Sequence, residues 1–298
     1  MNKCFAMIAA AGFLCGLGAL AVPGAMGAAA PAGGSESAET GAVYKKLTDA
    51  VGPALVTVKF VMKVEGGGRS GGGGRDMEIT GLMMEPNGLV LVSNAKMGGL
   101  AARRGITASA TDIRILAGDD TEGVKAKILA RDSEMDLCWI QVDRDEKEPK
   151  TFAAVNFASD AKGEVGDKVY VVDRMGKFFD HALSVEEGRI GGATKRPRPL
   201  LIPAGFRSGE GQFLGTPILT ADGKIVGVTV LQLPDKEDAE GGESASDGSV
   251  AILLLPSAEV VKATARGKEM AAKQPKEEPK TEEKKDEKSA APEKMDDK

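Results

Sequence analysis

Gly211-Gln212-Phe213-Leu214-Gly215-Thr216-Pro217 leads directly into Ile218-Leu219-Thr220-Ala221-Asp222-Gly223-Lys224-Ile225-Val226-Gly227-Val228. The run reads as a glycine-rich turn, a short apolar strand, a tight turn at Asp222-Gly223 and a second apolar strand. That is the pattern of a β-hairpin, because an Asp-Gly pair accepts the backbone reversal that joins two short strands. Outward from this hairpin the chain repeats the pattern. Short apolar segments fall at residues 54–64, 79–84, 89–92, 113–116, 124–130, 137–142, 169–172, 183–190, 200–202, 218–219, 225–231 and 250–255. Gly, Asp, Asn and Pro punctuate them, as in the turn Pro86-Asn87-Gly88. Strands this short and this closely spaced predict an all-β barrel or sandwich.

The two ends of the chain read differently. Lys3, the apolar stretch 5–22 and the small residues Ala25-Met26-Gly27 have the order of a secretory signal peptide over residues 1–28. A retained membrane anchor is the rival reading, weakened by the many glycines and alanines of the stretch. A cleaved signal leaves no stable membrane insertion and places the protein in the periplasm or outside the cell. Of three cysteines, Cys4 and Cys15 lie in that segment, so only Cys138 remains and no internal disulfide is possible. Residues 29–42 are rich in Ala, Gly and Ser and read as a flexible linker. Val43, Leu47 and Val51 share one helical face over 43–51. At the other end, Ser257 is a suitable N-cap for a helix over 258–265. Residues 266–298 hold ten basic and ten acidic residues with no aromatic, the composition of a disordered tail. The globular part is therefore 43–265.

Charge excludes one broad class of partner. The 298 residues carry a formal net charge of −5, which gives no footprint for nucleic acid. The sequence has no Walker A segment, and one mature Cys with one His is too few ligands for a structural zinc site. Gly209, Gly211 and Gly215 miss the dinucleotide-binding spacing by one residue, and no helix follows them. The acidic loop 235–247 invites a calcium reading, but its spacing differs from an EF-hand loop and a solvated loop explains it. No cofactor or metal is expected.

The opening stretch is similar to the nucleophile region of trypsin-like serine proteases of the HtrA (DegP-like) group. Their pattern is Gly-Asn-Ser-Gly-Gly-Pro, an apolar strand, an Asp/Asn-Gly turn and a second apolar strand. Four more segments follow in the family's order. Gly88 to Met97, containing Ser93-Asn94-Ala95-Lys96-Met97, resembles the strand that ends Thr-Asn-Ala-His-Val. Asp132-Ser133-Glu134-Met135-Asp136-Leu137-Cys138-Trp139 resembles the segment of the catalytic aspartate. Val165-Gly166-Asp167-Lys168-Val169 and Ile252 to Ser257 resemble the first and last strands of the second barrel. The resemblance implies a trypsin-like double six-stranded β-barrel with a short C-terminal helix, its barrels at about 43–148 and 151–256. The family usually continues into PDZ domains, and here the charged tail stands in their place.

The same resemblance implies a broken triad. Such proteases need a hydroxyl nucleophile, an imidazole base and a carboxylate that orients the imidazole. Leu214 takes the place of the serine, and a leucine has no lone pair to attack with. Lys96 takes the place of the histidine. Asp136 alone matches, as a remnant with no imidazole to serve. The only histidine, His181, lies 85 residues beyond Lys96 and reads as a surface or packing residue. A Ser-Lys dyad is the remaining catalytic reading, with Ser93 or Ser208 as its hydroxyl and Lys96 as base. Cys138 continues an apolar strand beside Trp139 and reads as core.

Three functions fit. The leading one is an exported pseudoprotease that binds or regulates a polypeptide, with the inter-barrel cleft as the place for it. The others are an active endopeptidase of HtrA type with an unconventional nucleophile, and an envelope structural or tethering protein.

Overall fold

The structure is a computed structural model, and it describes residues 34–65, 74–103, 105–143, 150–157, 161–206, 213–233 and 250–273. The signal segment, the glycine run 66–73, Ser208, the acidic loop and residues beyond 273 lie outside the described residues.

Helix α1 (Gly34–Val51) is followed by a 3-10 turn (Gly52–Ala54) and six strands. These are β1 (Leu55–Glu65), β2 (Arg75–Glu85), β3 (Leu89–Ser93), β4 (Thr107–Leu116), β5 (Val124–Asp132) and β6 (Leu137–Val142). An irregular turn (Ala95–Gly99) and a one-turn helix α2 (Leu100–Arg103) connect β3 to β4. The second set is β7 (Lys168–Arg174), β8 (Leu183–Thr194), β9 (Leu200–Ala204), β10 (Pro217–Leu219), β11 (Ile225–Gln232) and β12 (Ala251–Pro256). Helix α3 (Ser257–Lys273) follows β12 directly. Each set closes into an antiparallel barrel, in the orders β1-β2-β3-β6-β5-β4 and β10-β11-β12-β9-β8-β7. Closure removes the exposed strand edges that an open sheet would leave.

The continuous apolar runs now have a physical reason. A strand sends alternate side chains to opposite faces, and the central strands are covered on both. On β3, Val90 and Val92 fill the first barrel while Leu89 and Leu91 face the seam between barrels. On β6, Cys138, Ile140 and Val142 point inward, and Leu137 and Trp139 point to the seam. On β7, Val169 and Val171 fill the second barrel, and Tyr170 and Val172 meet the seam. A one-residue slip would exchange these sets, so register is strongly fixed. The seam also takes Leu47 and Val51 from α1 and Val260 and Ala263 from α3.

The hairpin of the opening stretch forms as expected: Gly223 donates to Thr220 O at 2.9 Å, with φ +88° at the glycine. Several elements run longer than the sequence predicts. Helix α1 starts at Gly34, inside the stretch read as linker. Residues 34–42 carry no large apolar side chain and so leave no periodic signal, although alanine and glutamate are good helix formers. Helix α3 runs to Lys273 rather than 265, so the stretch read as disordered tail begins as helix. There Gly267 lies so close to Trp139 that a Cβ would come within 3.0 Å of its ring. Lys268 pairs with Glu85 at 2.6 Å. Strand β4 begins at Thr107, six residues ahead of the apolar segment 113–116 that predicts it.

Candidate functional site

The site lies where the end of β3 meets the second barrel. Arg131 on β5 braces the turn after β3, donating from Nη1 to Asn94 Oδ1 at 2.8 Å and to Met97 O at 3.0 Å. Gly98 takes φ +93° within that turn, a conformation that suits glycine. The turn thereby fixes Ser93, Ala95 and Lys96 against the short loop that holds Asp136.

Asp136 is buried and sits at φ +58°, a position that Asp tolerates better than most residues. Its Oδ1 accepts the Ala95 N–H at 2.6 Å. Its Oδ2 accepts the Ser93 hydroxyl at 2.9 Å and the Leu231 N–H at 2.8 Å. The carboxylate thus joins the β3 turn of one barrel to β11 of the other. Ser93 is 1% exposed and its hydroxyl is given to Asp136, so it is poorly placed as a nucleophile.

Lys96 is half-buried beside this carboxylate. Burial pushes its ammonium below the ordinary lysine value, and the charges of Asp173 and Asp136 pull it partly back. Asp173, on β7, is 5% exposed. Burial pushes its carboxyl up, offset in part by hydrogen bonds from Thr80 and the Arg174 backbone and by the charge of Lys96.

The turn Phe213–Thr216 closes on the same place. Gly215 has φ +84°, and a Cβ there would lie 2.8 Å from the backbone nitrogen of Ser93. Gly215 N–H donates to Thr229 O at 2.9 Å, and Thr229 N–H donates to Thr216 O at 3.0 Å. The hydroxyls of Thr216 and Thr229 both donate to Phe213 O. Phe213 packs into the second barrel, its ring 6.0 Å from that of Phe206. Leu214 is buried at 6% exposure. The structure therefore brings Lys96, Asp136 and the turn carrying Leu214 to one seam, with no hydroxyl on Leu214 and no imidazole at residue 96.

Beside the seam is a cavity of about 450 Å³. Thr57, Ile79 and Thr80 line it from the first barrel, Lys96 from the β3 turn, and Asp173 and His181 from the second. Arg174 holds the two halves together. It donates from Nε to Leu55 O at 3.1 Å, from Nη1 to His181 O at 3.1 Å and from Nη2 to Gly52 O at 3.3 Å. The sequence predicts His181 as a surface or packing residue, 85 residues beyond Lys96. It stands on the same cavity as Lys96, with Nδ1 3.4 Å from Thr57 Oγ1. Asp173 was missed altogether, since an aspartate after an apolar strand reads as the start of a loop. Cys138 lies in the first barrel, and burial pushes its thiol up to about 12. Among the described residues no group of three or more His, Cys, Asp or Glu is placed to hold a metal ion.

Two antiparallel six-stranded barrels meeting at such a seam define a trypsin-like fold. The sequence profile of the trypsin-like peptidase domain matches residues 80–228, half of the chain. The chain belongs to that family. Among solved structures it is similar to the serine endoprotease from Yersinia pestis, with 17% identity and a TM-score of 0.49. That match covers 76% of this chain and 66% of the Yersinia protein, just under two thirds of its length. It is also similar to the MamO protease domain from Magnetospirillum magneticum in its apo form. There the identity is 18% and the TM-score 0.46, over 73% of this chain and 98% of the other. No curated protein matches the chain significantly.

Proposed function

We propose that this chain is an exported member of the family that has given up hydrolysis and binds polypeptide at the seam between its barrels. The observation that carries the reading is the state of Asp136. Its carboxylate is engaged by Ala95, Ser93 and Leu231, with Lys96 and not an imidazole beside it. Acyl transfer needs a nucleophile and a base matched in pKa and within hydrogen-bond reach. A leucine at 214 supplies no nucleophile, and residue 96 supplies no imidazole to serve as the base. Export rests on the signal-like order of residues 1–28, and among the described residues no helix is long and apolar enough to cross a membrane.

Fluorescein-labelled unfolded casein tests the reading in one assay. Anisotropy should rise on adding the protein, while no acid-soluble fluorescence is released over hours. Release of peptides that disappears in Lys96→Ala would overturn it. That outcome belongs to the second reading, an unconventional hydroxyl nucleophile. What favours it is the presence of Thr57 and Thr80 on the cavity that Lys96 lines.

A further inference from the structure

We infer that Lys96 is a site of reversible imine formation, its side-chain amine capturing an uncharged small aldehyde in the cavity beside the seam. Imine formation there is independent of polypeptide binding and of the missing triad.

Lys96 is set apart from the other lysines by its place. Among the described residues every lysine except Lys59 and Lys96 is exposed, and of these two only Lys96 lines the cavity. The turn that carries it is held from both sides. Arg131 donates to Asn94 Oδ1 at 2.8 Å and to Met97 O at 3.0 Å, and the Ala95 N–H is tied to Asp136. A nucleophile fixed at the wall of a cavity meets a guest without first ordering its own backbone. Burial also favours the free amine. It pushes Lys96 below the ordinary lysine value, and the opposing pull of Asp173 and Asp136 does not restore it. Only the free amine carries the lone pair that attacks. At pH 7 only about one exposed lysine in two thousand is in that form.

The step balances with the groups at hand. The amine lone pair attacks the carbonyl carbon and a C–N bond forms. The carbonyl π electrons move to oxygen, which takes up the proton that nitrogen releases. A second proton on that oxygen lets it leave as water, and the nitrogen lone pair closes the C=N bond. These protons need carriers. The hydroxyls of Thr57 and Thr80 and the imidazole of His181 belong to residues that line the same cavity.

Charge selects the aldehyde. Besides His181, the lining carries two cations, Lys96 and Arg174, and two carboxylates, Glu78 and Asp173. An uncharged guest leaves that balance as it is. A protonated imine keeps the positive charge of the ammonium it replaces, so Asp173 and Asp136 retain the cation beside them. An acyl group on the same nitrogen would remove the charge and leave buried carboxylates uncompensated, which is costly. The volume of about 450 Å³ falls in the range of small-ligand pockets, and Ile79 and Phe179 give it an apolar wall.

Propanal with sodium cyanoborohydride at pH 7 tests the site on the full chain. The reagent supplies hydride and turns the imine into a stable secondary amine, which peptide mapping by mass spectrometry locates. Lys96 should be labelled at least roughly tenfold faster than the average exposed lysine, the effect of a pKa about one unit lower. The preference should vanish in urea, where all lysines are solvated alike. Labelling of the folded protein at Lys96 no faster than at the exposed lysines overturns the site. Two further aldehydes identify the guest. Benzaldehyde should prefer Lys96 as well, and selective labelling by formaldehyde alone would place the reactive amine outside the cavity and overturn it as the site. Glyoxylate, an anionic aldehyde, should gain nothing over propanal, and a clear advantage for it would overturn the uncharged class. These comparisons need no variant, so misfolding cannot mask the result. Casein anisotropy on the same preparation reports polypeptide binding separately, and the loss of either result leaves the other standing.

Discussion

Asp136 and Ala95, 41 residues apart, are joined by a 2.6 Å hydrogen bond from the Ala95 N–H to Oδ1, while Oδ2 reaches Leu231 in the other barrel. The carboxylate acts here as a structural tie. Asp136→Ala leaves two backbone donors and the Ser93 hydroxyl without an acceptor and puts alanine at a positive φ. The expected loss is about 3 kcal/mol, read as a lower midpoint in urea unfolding. Asp136→Asn tolerates the same φ and keeps one acceptor, so its loss should be smaller.

Asp173 should behave in the opposite way. Burial raises its folded-state pKa above the ordinary carboxylate value of 3.8. The folded protein then holds the proton more tightly than the unfolded chain, so stability falls as pH rises through that window. Below the ordinary value both states are protonated and the penalty vanishes. Asp173→Asn should therefore stabilise the protein at pH 7 by about 1 kcal/mol, with the gain shrinking towards pH 4. Thermal melts of the two proteins across pH 4 to 8 check the sign.

Cys138 gives a probe of opening. It is fully buried on β6, and its thiol is pushed up to about 12. Only the thiolate alkylates, so iodoacetamide at pH 8 should leave the Cys138 peptide unmodified in the folded protein. Modification should appear with the unfolding transition in urea, followed by mass spectrometry. Rapid labelling without urea would place the first barrel's core in contact with solvent.

Much of the fold is legible in the sequence because alternation and turn chemistry are local. The Asp222-Gly223 hairpin and the apolar runs of β3, β6 and β7 can be read from a few residues each. Asp136 is legible through the motif around it. The rest depends on docking. Lys96, Asp173 and His181 meet only because two closed barrels pack at one seam, and nothing near His181 in sequence points to Lys96. The place of Asp173 on the cavity that Lys96 lines is a property of surroundings, not of spacing. Helix α3 shows the same limit. Its last turns read as charged tail, yet Trp139 Nε1 donates to Thr264 Oγ1 at 3.1 Å and Gly267 rests on the same ring. A tryptophan 125 residues earlier decides where that helix docks.

The most direct test of the account is a fluorophosphonate probe on the folded protein, beside an active trypsin-like protease, with labelled peptides located by mass spectrometry. The probe reacts with an activated hydroxyl and needs no knowledge of the substrate. No labelling is expected while the control labels fully and circular dichroism shows the β-rich fold intact. Stoichiometric labelling at a single serine or threonine, lost in Lys96→Ala, would contradict it and identify the nucleophile.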